Sequence, residues 1–152
     1  MNKEVMSVHT GESLEDAAKK MTGNKVSGLP VVDADGKVVG VITDRDLIVY
    51  SQKLKVIPLV DYSGWILPYN FIPESAFYEK NSSLFSRTKV EEVMSKRAVT
   101  VKEDTSWYDV VNLMKRHSIN RIPVVDEKGK LKGIITRTDL LNHLAEEDGD
   151  NA

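Results

Sequence analysis

Apolar and polar positions alternate along this chain in two registers, and the same succession occurs twice. In "SLEDAAKKM" (13–21), Leu14, Ala17, Ala18 and Met21 make one stripe; in "SWYDVVNLM" (106–114), Trp107, Val110, Val111 and Met114 make another. Spacings of three and four predict amphipathic helices. Ser13 and Ser106 stand as N-caps, with Asp16 and Asp109 three residues on to reach back or favour the helix dipole. Short extended pieces precede them, at 6–10 and 98–102. The runs "LPVVD" and "IPVVD" follow as strands, "DADGK" and "DEKGK" turn the chain, and "VVGVIT" and "LKGIIT" return it. Gly36 and Gly129 are expected at positive φ, and Pro30 and Pro123 at strand starts, where a missing N–H is tolerated. A last helix is expected to begin at Thr43 or Thr136. The pattern predicts a β-α-β-β-α unit, twice.

Residues 28–48 and 121–141 match without a gap, 93 positions apart, and 11 of the 21 positions are identical. Ordinary residue frequencies would give about one or two. The match continues upstream through Val8/Val101, Ser13/Ser106, Asp16/Asp109 and Met21/Met114, and such repetition sets the fold class. A single unit of roughly 45 residues has a marginal core. The expectation is therefore an α/β (α+β) module, its two units packed about a pseudo-twofold axis into one body. The divisions are residues 1–48, an insertion at 49–89, the second unit at 90–146 and a fraying acidic tail at 147–152.

The insertion breaks the symmetry. The stretch 49–92 carries eight of the ten aromatic residues, more than a disordered linker would. It is expected to pack as a lid on the core, as a dimer contact or as a cover over a ligand cleft.

Composition narrows the function. The net charge of −2 disfavours non-specific binding to nucleic acid or an anionic membrane. With no cysteine, disulfides and thiolate metal sites are excluded. No stretch approaches the roughly 20 apolar residues of a membrane span, and the start lacks a signal-peptide core, so the expected location is the cytoplasm. Neither a P-loop nor a G-x-G-x-x-G pattern occurs. His9, His117 and His143 do not recur between the copies and are read as surface or cap residues.

"GVITDRD" and "GIITRTD" share the form G-h-h-T-x-x-D, where h is apolar. With the paired "h-P-V-V-D" strands, the chain resembles a tandem cystathionine-β-synthase-type (CBS) module over about residues 5–48 and 90–144. The resemblance implies regulatory binding of an adenosine nucleotide (AMP, ADP or ATP), or of S-adenosylmethionine, in clefts between the repeats. It implies that Asp46 and Asp139 hold ribose hydroxyls and that Thr43 and Thr136 lie near phosphates. The backbone around Gly28–Pro30 and Arg121–Pro123 would border base or phosphates, and Ser7, Val8, Thr100 and Val101 would line an adenine slot. A carboxylate accepts both protons of a cis-diol, and a helix N-terminus suits phosphate, so the chemistry agrees with the resemblance.

Thr-x-x-Asp is also a capping pattern. For a lone copy capping is the better reading; two copies in this frame favour a ligand site, and both roles are compatible. The copies differ in what they add: Asp44 and Arg45 in the first, Arg137 and Thr138 in the second, with Arg121 where the first has Gly28. The second motif is therefore expected to be the stronger phosphate site. The functional expectation is a non-enzymatic sensor without a resident cofactor, homodimeric through helical faces and read by a separate effector protein. The rival is a structural dimerisation module whose clefts are filled by its own side chains.

Overall fold

The computed structural model describes residues 5–53 and 85–150. In the first repeat β1 (Val8–His9), α1 (Leu14–Gly23), β2 (Gly28–Val32), β3 (Val38–Thr43) and α2 (Asp44–Lys53) follow one another. A short α3 (Val90–Val93) leads to the second repeat, with α4 (Trp107–His117), β4 (Arg121–Val125), β5 (Leu131–Thr136) and α5 (Arg137–Asp150). β2 lies between parallel β1 and antiparallel β3, and β4 pairs antiparallel with β5. Val101 alone bridges to Val124, so the expected opening strand of the second repeat is a single parallel bridge.

Local chemistry explains the elements. Ser13 accepts from the Asp16 N–H while the Asp16 carboxylate accepts from the Ser13 N–H, a complete capping box. Ser106 accepts from the Asp109 N–H. Gly36 and Gly129 have φ of 78° and 81°, as their turns require. The expectation for the prolines is corrected: Pro30 and Pro123 lie in the middle of β2 and β4, not at their starts. Pro30 faces Val41, whose own N–H and C=O bond Ser95 rather than β2. This pair exchanges no ladder bonds across β2–β3, so that ladder loses nothing to the proline.

Each repeat has its own core. Leu14, Leu29, Val31 and Ile42 are sealed in the first; Val110, Ile122 and Val124 in the second. Each such side chain stabilises by about 1.5–3 kcal/mol. One stripe position is corrected: Val111 is exposed, and Leu113 packs against the second core instead. "KVEEV" precedes the second repeat in sequence, yet Val90 is buried in the first repeat's core, with Val93 and Met94 against it. The acidic stretch expected to fray is helical through Asp150. Of the aromatic insertion, residues 54–84 lie outside the described residues. At its ends, Tyr50 and Phe85 pack edge-on, 6.4 Å apart, against the first core.

The repeats meet through their hairpin turns. The Val38 N–H donates to Gly129 O (3.0 Å) and the Leu131 N–H to Gly36 O (3.1 Å). The two donors, Val38 and Leu131, are 93 positions apart, as are the two acceptors, Gly36 and Gly129, so exchanging the repeats turns one bond into the other. Lys37 lies opposite its own counterpart Lys130, which puts the pseudo-twofold axis between them.

Candidate functional site

The strand-to-helix junction of each repeat is fixed by its own side chains. In the first, the Thr43 hydroxyl accepts from the Asp46 N–H (3.2 Å) and Asp46 Oδ2 accepts from the Thr43 N–H (2.9 Å). In the second, Asp139 Oδ2 accepts from the Thr136 N–H (2.7 Å) and hydroxyl (3.0 Å). Capping therefore occurs at both copies. It consumes one carboxylate oxygen; Oδ1 of Asp46 and of Asp139 has no protein partner among the described residues, and both side chains are half-buried.

Beside the first junction lies a cleft of about 350 Å³. Thr43, Asp44, Arg45 and Asp46 form one side, and Ser118, Asn120 and Arg121 of the second repeat face them. Its apolar lining is Val41, Ala98, Val99 and Ile119, with Arg97 at the edge. The wall at 95–99 is held in place because Ser95 and Val41 exchange backbone hydrogen bonds of 3.0 and 3.1 Å. A volume near 350 Å³ falls within the range of small-molecule sites, about 300–1,000 Å³. A second cleft of about 180 Å³ is lined by Asn120, Arg121, Thr136, Arg137 and Thr138.

Arg121 belongs to both clefts. From the second repeat its guanidinium reaches back to the Ser27 hydroxyl, and Nε donates to Asn120 Oδ1 (3.1 Å). It lies against Gly28, the residue 93 positions earlier, where an added Cβ would overlap it. Burial pulls this guanidinium below the ordinary arginine value, while the charge of Asp44 acts the other way. No carboxylate lies within ion-pair distance of Arg121 among the described residues. A half-buried cation in that position is stabilised by an anion entering the cleft.

The expected amide cradle differs from what the fold provides. At the start of α2, Asp44 N–H donates to Ser27 O, Arg45 N–H to the Asp44 carboxylate and Asp46 N–H to Thr43. The positive charge lining the first cleft is therefore that of Arg45, Arg97 and Arg121. In α5, Arg137 and Asp139 have equivalent partners, and Thr138 keeps its N–H free of a protein acceptor among the described residues.

Of the residues singled out in the sequence, Thr43, Arg45, Asp46 and Arg121 come together in the first cleft, and Thr136, Arg137 and Thr138 join Arg121 in the second. Asp139 stands one turn inside α5, outside the second cleft's lining. Val8, Val101, Pro30 and Pro123 are core residues and line neither cleft. Ser7 offers its carbonyl to Lys20 Nζ (3.1 Å), Thr100 is exposed, and Gly28 is buried beneath Arg121. Sequence reasoning missed Ser27, Arg97–Val99 and Ser118–Asn120. One signal was available: Asn120 and Ser27 are repeat counterparts just before the buried strands, and Ser118 and Lys25, also counterparts, both have φ of 53°.

Comparison with known proteins agrees with the architecture. The family model described as CBS domain matches residues 1–53 and 90–146. An uncharacterized protein of Methanocaldococcus jannaschii, MJ1426, is 32% identical over 141 residues, covering 90% of this chain and 84% of its own. Inosine-5'-monophosphate dehydrogenase of the same organism is 31% identical over 139 residues, 91% of this chain but 21% of the enzyme. The crystal structure of CBSX2 in complex with AMP superposes with a TM-score of 0.71 at 26% identity, covering 97% of this chain and 94% of that one.

Proposed function

This chain belongs to the CBS-domain family, and on that premise we propose that it is a regulatory module binding an adenine nucleotide in the first cleft. The observation that carries the reading is one cavity joining three chemistries. Asp46 Oδ1 is an unoccupied acceptor for a ribose diol. Val41, Val99 and Ile119 offer an apolar berth for a base. Arg121, Arg97 and Arg45 supply positive charge for phosphates. The AMP bound by CBSX2, a neighbour of nearly the same length, supports the ligand class. S-adenosylmethionine is the poorer fit, because its sulfonium and ammonium would face those three arginines. The chain aligns with 21% of an inosine-5'-monophosphate dehydrogenase, a match to part of that enzyme, which supports a regulatory role over a catalytic one. Ile48 and its counterpart Leu141, 50% and 60% exposed on α2 and α5, are the faces on which we place a homodimer contact.

Thermal denaturation with AMP, ADP, ATP and S-adenosylmethionine tests the reading. Ligand at a hundred times its Kd stabilises by about 2.7 kcal/mol, which raises the Tm by several degrees. The 2′-deoxy form of the best ligand is expected to bind about tenfold more weakly, as loss of a charge-assisted hydrogen bond requires. No shift with any of the four would leave the dimerisation module as the better account.

A further inference from the structure

Arg121 carries an inference that rests on the proposed nucleotide site and extends it. The two motifs have separate threonines, aspartates and helices, but a single arginine lines both clefts. Strict pseudo-symmetry would give each cleft its own residue at this place. Instead the counterpart is Gly28, and the missing side chain makes the seat on which the Arg121 guanidinium rests. A larger residue there would expel it. From that seat it bonds Ser27 and faces Asp44 on the first-cleft side. Towards the second cleft it looks on Arg137, Thr138 and the Thr138 N–H, which has no protein acceptor among the described residues, a set that suits an anion. With Nε–H given to Asn120 and one Nη2–H to Ser27, at most one forked edge of the guanidinium remains, so it can grip a phosphate from one cleft at a time.

We propose that the two clefts compete for Arg121, so that a nucleotide in the first cleft weakens anion binding in the second. Such antagonism is a coupling free energy between sites and is necessarily reciprocal. It would let a single chain register one ligand strongly and answer a second only when the first is scarce.

The test is an amide NMR titration of the full chain with ADP, following Thr43–Asp46 and Thr136–Asp139 separately. In the wild type the first set is expected to saturate at least tenfold earlier than the second. Asp46→Asn, which keeps a capping oxygen, raises the concentration needed at the first motif. If Arg121 is shared, the same change lowers the concentration needed at the second by threefold or more. In the Arg121→Met background that gain disappears. A second motif whose response is the same with and without Asp46→Asn, while the first weakens, overturns the sharing and leaves the nucleotide site standing. Absence of ADP shifts at both motifs overturns both.

Discussion

Thr43–Asp46 and Thr136–Asp139 are the same four-residue device, 93 positions apart, and each closes the same cap. The spaces beside them are not the same. The first cleft takes walls from both repeats and the connection at 95–99; the second is lined by residues of its own repeat alone. The apolar pair Val99 and Ile119 is half-buried along the first cleft, while its counterparts Met6 and Val26 are 41% and 40% exposed. Duplication thus supplied two equal starting points. The larger cleft lies where Ser95, Arg97–Val99 and Ile119 add a wall that the second lacks.

The widest gap is expected in the cores. Ile42 is fully buried and its counterpart Ile135 is 7% exposed. In urea denaturation, Ile42→Ala should cost about 4 kcal/mol and Ile135→Ala about 3 kcal/mol. Equal losses would show the cores to be equally tight. Next comes binding. Isothermal titration with ADP should show Asp46→Asn weakening the first binding event about tenfold, or about 1.4 kcal/mol, while Asp139→Asn changes it less than threefold. A reversal would make the second motif the main site, as the sequence expectation built on Arg121 and Arg137 has it.

The turns should not differ. Gly36→Ala and Gly129→Ala each place a Cβ at positive φ, and each should cost about 1 kcal/mol by chemical denaturation. A difference would mean that the Gly129 and Gly36 carbonyls, which cross the axis, are not equivalent. The smallest effect concerns pH. Glu12 accepts from the His9 N–H (2.6 Å), and its counterpart Thr105 accepts from the Lys102 N–H (3.0 Å). Burial alone would raise the Glu12 pKa. The His9 bond and Lys20 outweigh burial and hold it below the ordinary 4.5. Its stabilising contribution is therefore present above 4.5 and lost as pH falls through the depressed value. The Tm difference between wild type and Glu12→Gln should shrink over that window, whereas that for Thr105→Val should stay constant.

Much of this was legible in the chain. Ser13 and Asp16 identify a cap, Gly36 and Gly129 identify turns, and the duplicated Thr and Asp mark where a strand becomes a helix. The cleft itself was legible only in part. Thr43, Arg45 and Asp46 stand out because they recur or adjoin what recurs, whereas Ser27, Arg97–Val99 and Ser118–Asn120 fall where the copies differ. Repetition advertises what is common to both halves, and the distinguishing walls are not.

By itself the sequence determined the duplicated β-α-β-β-α unit, its caps and its turns, because those depend on residues within a few positions of one another and on the φ each residue tolerates. Only the tertiary structure decided that Val90 serves the first core, that Val111 faces out, and that Arg121 reaches Ser27 across a separation of 94 residues. These are outcomes of how two bodies dock. Docking is governed by shape and buried area, which local periodicity does not encode.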